Sequence, residues 1–246
     1  MQVSDLILSL FRANVIGKKA PKVKGEADGA QGHWLEKQFG LTPNGRNEPD
    51  IDGFELKKDS NRISFGDWSA DYYLFKSEHH SLSRSEFLKI FGTFTPQKNR
   101  FSWSGSVVPK YGFWNEFGQR LYIDELNNVY ALYNWVMDLR TDKERIVPQE
   151  FRTDNVVLAC WKASSLSAKV EEKFNIKGWF ICLKDESGAF VELGFGEPIA
   201  FPKFIEYVKS GDVFFDSGMY EGNDRPYSQW RANKTFWYER IVVRLK

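Results

Sequence analysis

The chain is poor in the residues on which much enzyme chemistry depends. Among its 246 residues are only two cysteines, Cys160 and Cys182, each inside an apolar run and without the Cys-x-x-Cys spacing of zinc or thiol-redox sites. Both are expected to be buried, reduced thiols. The three histidines, His33, His79 and His80, form no His-Glu-x-x-His element, so no zinc-hydrolase signature is present, and the His79-His80 pair suits an exposed loop. No Gly-x-x-x-x-Gly-Lys-Ser/Thr loop occurs, which argues against ATP as a partner. The longest apolar runs, at 156–161 and 178–183, fall far short of the ~20 residues that cross a bilayer, so no membrane partner is expected. Neither sign of charge dominates: 34 basic side chains face 33 acidic ones. A net charge of +1 excludes an indiscriminate polycation, and any anion must meet a local patch.

What is abundant is aromatic. Phe, Tyr and Trp number 21, 10 and 9 and make 16% of the chain, enough for either a large aromatic core or a wide polar-rimmed groove, and composition does not choose between them. With 42% hydrophobic and 27% charged residues the chain has globular composition, and its length suits one large domain or two lobes of one compact unit.

Periodicity places the elements. Val3, Leu6, Ile7 and Leu10 make an amphipathic N-terminal helix with Asp5 inside it, unlike a signal peptide, so a cytoplasmic location is expected. A basic loop with Lys18, Lys19, Lys22 and Lys24 follows. A short helix over 31–39 carries Gly32, Leu35, Glu36 and Phe39 on one face and stops at Gly40. Residues 42–49, TPNGRNEP, read as a loop, and a strand begins at Phe54 after the Asp52-Gly53 turn signal. Scattered aromatics over 61–75 continue the sheet, 85–90 is a short helix, and 97–110 is a basic loop. The stripe Tyr122, Leu126, Val129, Tyr130, Tyr133 and Met137 predicts a helix over 121–139. Strands at 155–161, 178–184 and 189–195 alternate with helices at 165–174 and 202–209, where Pro202 sits in the first turn. The fold class is therefore α/β with a mixed sheet.

The run PDIDGFELK, residues 49–57, concentrates the chemistry. In a strand starting near Gly53, Glu55 and Lys57 point to one face and Phe54 and Leu56 to the other. Asp50 has the wrong parity for that face, but the Asp52-Gly53 turn can return its carboxylate beside Glu55. Two carboxylates with one ammonium suit a hard cation, Mg²⁺ best, which can neutralise a phosphodiester oxygen and acidify a water. Lys57 would add positive charge where the phosphorus centre gains negative charge. Glu36, on the inward stripe of its helix, is costly to bury alone and would face the same cation. The same residues also suit an exposed strand pair and a turn cap.

The runs GRNEPDIDGFELKK and GHWLEKQFG, with the total length, resemble the MvaI/BcnI family of type II restriction endonucleases. More distantly they resemble the mismatch-repair nickase MutH, from which the chain departs in enclosing four rather than six residues between Asp50 and Glu55. All are PD-(D/E)XK nucleases. The resemblance implies a mixed sheet flanked by helices, around a DNA-binding cleft between two lobes: 1–95 mainly catalytic, and 96–246 completing the core sheet and reading DNA. It implies Mg²⁺-dependent hydrolysis of double-stranded DNA to 5′-phosphate and 3′-hydroxyl ends, at 5′-CC(A/T)GG, by a monomer in a bacterial cytoplasm. On the same ground Asp50, Glu55 and the Leu56 backbone carbonyl are metal ligands, Lys57 is the catalytic lysine and Glu36 a supporting carboxylate.

Arginine is the side chain best matched to guanine O6 and N7. Candidates for base contacts lie in the polar C-terminal third: Tyr220, Asp224, Arg225, Tyr227, Arg231 and Lys234, near Trp230. An ordinary charged surface loop is the alternative. Lys98, Arg100 and Lys110 are better placed as phosphate contacts, which position a duplex without reading it. A strand nickase and a non-catalytic DNA-binding module are the competing functions.

Overall fold

In a computed structural model of the chain, residues 3–21, 30–42 and 46–246 are described. Lys22 and Lys24 of the expected basic loop, and positions 43–45 of TPNGRNEP, lie outside them.

The chain divides into two compact units. One draws on residues up to Ile63, Ala168–Phe204 and Ala232–Lys246; the other on Ser64–Ser167 and Ile205–Arg231. In chain order the elements are helices α1 (Asp5–Asn14) and α2 (Ala30–Gln38), strands β1 (Phe54–Lys57), β2 (Arg62–Asp67) and β3 (Tyr72–Tyr73), helix α3 (Arg84–Phe91), and strands β4 (Thr93–Thr95), β5 (Arg100–Trp103), β6 (Phe117–Ile123) and β7 (Val129–Asp138). Then come α4 (Lys143–Ile146), β8 (Val156–Trp161), α5 (Ala163–Phe174), β9 (Gly178–Lys184), β10 (Phe190–Gly196), α6 (Phe201–Ser210), β11 (Val213–Asp216), β12 (Met219–Tyr220), β13 (Gln229–Asn233), α7 (Lys234–Glu239) and β14 (Ile241–Leu245).

The first unit is built on the mixed sheet β1-β9-β10-β14, in which β1 runs parallel to β9 and the other pairs are antiparallel. Register puts Phe54 beside Gly178, Glu55 beside Trp179, Leu56 beside Phe180 and Lys57 beside Ile181. Because side chains alternate along a strand, Phe54, Leu56 and Phe180 share one face, and Glu55, Lys57, Trp179 and Ile181 share the other. Helices α1 and α2 cover the first face, where Ile7, Phe11, Leu35 and Phe39 pack on Phe54, Leu56, Phe180 and Phe195. Helix α1 is capped by the Ser4 hydroxyl, which accepts from the Ile7 amide at 3.3 Å, with Asp5 in its first turn and Arg12 in its last. Its buried line is Ile7, Phe11 and Val15, whereas Leu6 is 53% exposed: the apolar stripe is rotated from the expected one. On the second face the rings of Trp179 and Trp237 meet edge to face at 4.9 Å, with Phe174 alongside.

The second unit contains the antiparallel sheet β3-β8-β7-β6, the three-stranded sheet β12-β5-β4, and β11 in the order β11-β13-β2. Its core is a cluster of rings: Phe215 lies 5.3 Å from Trp103, 4.8 Å from Trp161 and 5.4 Å from Trp230. Five of the nine tryptophans are among the largest fully buried side chains, so the aromatic excess is mainly core.

Several expectations are corrected. Residues 121–139 are not a helix but the β6–β7 hairpin. Its turn is fixed by Asp124, whose carboxylate accepts from the amides of Leu126 and Asn128 at 3.0 and 2.8 Å, and by Asn127 at φ 63°. This side-chain turn and the β-branched and aromatic content of 129–136 override the helical spacing. The basic stretch 97–110 is not simply a loop, since it contains β5 with Trp103 fully buried. Within 61–75, β2 and β3 join other sheets than that of β1. The region around Arg231 and Lys234, for which a charged surface loop was the alternative, forms β13 and α7, and Trp230 and Ala232 alternate inward along the strand. Cys182 is buried, but Cys160 is only half-buried.

Two glycines let the sheet close around Trp179. A Cβ at Gly196 would strike the Trp179 ring, and one at Gly178, at φ 101°, would strike the Gly196 carbonyl. Gly196→Ala should therefore destabilise the protein by roughly 1–3 kcal/mol, the usual cost of overpacking, read as a lower urea midpoint. An unchanged midpoint would show that the ring relocates freely.

Candidate active site

The turn before β1 decides what the site can contain. Asp52 and Gly53 both take positive φ, 48° and 78°, and Ile51 and Phe54 close the turn with backbone hydrogen bonds of 3.1 and 2.8 Å. Turns with two positive-φ residues fold a chain tightly back on itself. Asp50 is thereby returned to β1, where its carboxylate accepts from the Leu56 amide at 2.9 Å.

Glu55 and Lys57 are both 4% exposed. They are thus not an exposed strand pair. The Lys57 ammonium donates to Glu55 Oε1 at 3.0 Å and sits 4.7 Å from the centre of the Phe174 ring and 5.5 Å from that of Trp237. Burial lowers its proton affinity, partly offset by Glu55. Glu55 Oε1 has a second ammonium, Lys173 at the end of α5, 3.1 Å away. Glu55 Oε2 is buried without a hydrogen-bond partner among the described residues. Asp50 is pushed up to about 7, first by burial and then by the Glu55 charge.

A cavity of about 330 Å³ is lined by Glu36, Asp50, Glu55 and Leu56, with His33 and Lys173. The structure therefore gathers Glu36, Asp50 and Glu55 around one space, with Lys57 joined to it through Glu55. No cluster of three His, Cys, Asp or Glu side chains in ligating array occurs among the described residues. The donors that are present nonetheless suit a hard cation, which binds oxygen and completes its shell with water. A bare buried carboxylate oxygen and a carboxyl whose ionisation a neighbouring negative charge opposes are both conditions that a cation relieves.

The remaining candidates lie elsewhere. Lys98 and Lys110 are exposed. Arg100 is stacked on the Tyr220 ring, 3.3 Å from its centre. Asp224 is exposed, Arg225 pairs with Asp67 at 2.7 Å and lies over the Tyr227 ring, and Arg231 pairs with Asp216 at 3.5 Å. Lys234 pairs with Asp59 at 2.8 Å. Sequence reasoning missed Lys173. A lysine in the last turn of a helix is commonplace, favoured by the helix dipole, and only packing sets this one beside Glu55.

Residues 14–245 match the family described as LlaMI restriction endonuclease. The chain belongs to that family. It is 41% identical over 263 residues to the type II restriction enzyme ScrFI of Lactococcus lactis subsp. cremoris, covering 97% of both chains. The complex of restriction endonuclease MvaI with its cognate DNA substrate has the same fold, with a TM-score of 0.61 at 14% identity over 99% of both chains. The chain is accordingly a nuclease of the restriction-endonuclease kind, and it has the fold of MvaI, with the sheets flanked by helices that the resemblance implied.

Because folding raises the proton affinity of Asp50, its ionisation opposes folding above the raised value, and that cost fades as pH falls through about 7 toward the ordinary 3.8. In the absence of divalent cations, Asp50→Asn should stabilise the protein at pH 8 by roughly 1–3 kcal/mol and much less at pH 4. Equal effects at both pH values in thermal unfolding would contradict this placement.

Proposed function

We propose that this LlaMI-type chain is a Mg²⁺-dependent, sequence-specific type II restriction endonuclease acting on double-stranded DNA. The observation that carries the reading is the gathering of half-buried Asp50 with buried Glu55 and Lys57 on one strand and the turn before it, with a bare Glu55 oxygen among the described residues.

Asp50, Glu55 and the Leu56 backbone carbonyl would hold the cation, with Glu36 supporting it from across the cavity. When bound, Mg²⁺ supplies neutralisation of a phosphodiester oxygen and acidification of a water. The chain's own residues do the rest. The Leu56 amide fixes Asp50, and Lys57 fixes Glu55 from a position where its ammonium is flanked by rings. The Lys57 ammonium orients the attacking water and stabilises negative charge growing on the phosphoryl oxygens, in surroundings where screening by water is weak. Water oxygen bonds to phosphorus and gives up a proton to solvent as the bond to the 3′ oxygen breaks, and the departing 3′ oxygen takes a proton from solvent, leaving 5′-phosphate and 3′-hydroxyl ends.

The target proposed from the family likeness is 5′-CC(A/T)GG, cut one strand per binding event by a monomer. Arg225 and Arg231 are the foremost guanine readers: Arg225 pairs with Asp67, and Arg231 lies beside Asp216 and donates to Gln229 Oε1. Tyr220, Asp224, Tyr227 and Lys234 would complete the base contacts. Lys98, Arg100 and Lys110 would position phosphates.

Supercoiled plasmid with Mg²⁺ should give discrete linear fragments, and EDTA should stop the reaction. Asp50→Asn, Glu55→Gln and Lys57→Ala should each slow cleavage by about 10³-fold or more, with circular dichroism unchanged. Open circles that never linearise would indicate a nickase. Intact DNA that is still shifted sequence-specifically in a gel would indicate a binding module. Sequencing the fragment ends tests the target: ends at 5′-CC(C/G)GG as well would show that the centre pair is not read. Arg231→Ala should cost roughly 1–3 kcal/mol of discrimination between cognate and single-mismatch duplexes, measured as a ratio of cleavage rates. A light-scattering mass near twice 28.6 kDa would overturn the monomer.

A further inference from the structure

We propose that Lys173 is a second catalytic ammonium, which holds Glu55 in the cation-free protein and moves to a non-bridging oxygen of the scissile phosphate once a divalent cation and DNA are bound. The inference rests on the nuclease reading above.

Two ammoniums share one oxygen, Glu55 Oε1, at 3.0 and 3.1 Å, while Oε2 has no hydrogen-bond partner among the described residues. They are not equivalent. Lys57 extends from the interior of β1, its side chain is 5% exposed, and the Phe174 and Trp237 rings flank its ammonium. Lys173 extends from the last turn of α5, its side chain is 18% exposed, and it lines the cavity with Glu36 and Asp50. Only Lys173 combines contact with Glu55, access to the cavity and a flexible four-carbon stem free to change partner.

Charge decides when it moves. In the cation-free protein two ammoniums face the carboxylates of Asp50 and Glu55. A divalent ion on those carboxylates would place four positive charges against at most three negative ones, Glu36 included, in a site poorly screened by water, and the mobile ammonium is the one repelled. The nearest new anion is then the phosphodiester brought to the same carboxylates. Lys173 thus holds Glu55 in place before loading, and adds charge at the phosphoryl oxygens afterwards.

The test uses the full chain with Lys173→Met and Lys173→Arg, each checked for an unchanged thermal midpoint. Mn²⁺ binding without DNA is read from loss of the free-ion paramagnetic signal. Cleavage is read in single turnovers at saturating Mg²⁺. Removal of a competing ammonium should leave Mn²⁺ binding equal or up to about tenfold tighter in Lys173→Met, while the single-turnover rate falls about 100-fold and Lys173→Arg restores part of it. Weaker Mn²⁺ binding by Lys173→Met would show that Lys173 only orders Glu55 and would overturn the proposal. So would a Lys173→Met rate within threefold of the unsubstituted enzyme. An unsubstituted protein that binds Mn²⁺ but cuts no DNA would overturn the nuclease reading itself, and the role of Lys173 with it.

Discussion

A carboxylate and an ammonium buried together on one strand constrain the rest of the first unit. Glu55 and Lys57 lie two residues apart on β1, so they share a face, and that face is closed by the Phe174, Trp179 and Trp237 rings. Removing two charges from water is expensive, and the cost falls when they meet at 3.0 Å with a second lysine beside them. It is not fully met while one Glu55 oxygen has no hydrogen-bond partner among the described residues. A protein that needed only stability would do better with apolar residues at both positions. Retention of an imperfectly satisfied acidic pocket is expected where a charged ligand completes it.

The fold supplies that pocket by local means. Two positive-φ residues turn the chain before β1, one backbone amide fixes Asp50, and parallel pairing with β9 holds the strand in register. Helix α2 presents Glu36 to the cavity while its neighbours Leu35 and Phe39 are buried in the core behind β1. One short helix therefore serves both core and cavity. Gly196 admits the Trp179 ring and Gly178 admits the Gly196 carbonyl, so this wall of the first unit depends on residues with no side chain.

The second unit follows different physics. Three of its arginines are held in place: Arg225 pairs with Asp67, Arg231 donates to Gln229 beside Asp216, and Arg100 is stacked on Tyr220. Such fixing limits the rotamer entropy lost on binding and leaves part of the guanidinium fork to meet a partner. Near-neutral overall charge fits a protein that gains affinity from placed contacts rather than from a diffuse positive field.

Much of the site was legible in sequence because it depends on local rules. The Asp-Gly turn, strand alternation and the Leu35/Phe39 stripe are properties of a few adjacent residues, and they brought Asp50, Glu55, Lys57 and Glu36 into one argument. The helices at 5–14, 84–91, 163–174 and 201–210 and the strands at 156–161, 178–184 and 190–196 were legible for the same reason. Spacing failed where a side chain competed with the backbone, as Asp124 does in turning a helical stripe into the β6–β7 hairpin. Polarity misled around Arg231, because alternating Trp230 and Ala232 are enough to make a strand there. What the chain alone could not disclose is which distant residues converge: Lys173 beside Glu55, Trp237 against Lys57, the burial of both charges. Those depend on segments more than a hundred residues apart meeting in space, and no local pattern encodes that distance; the sequence determined the chemistry on β1, and the tertiary structure decided its surroundings.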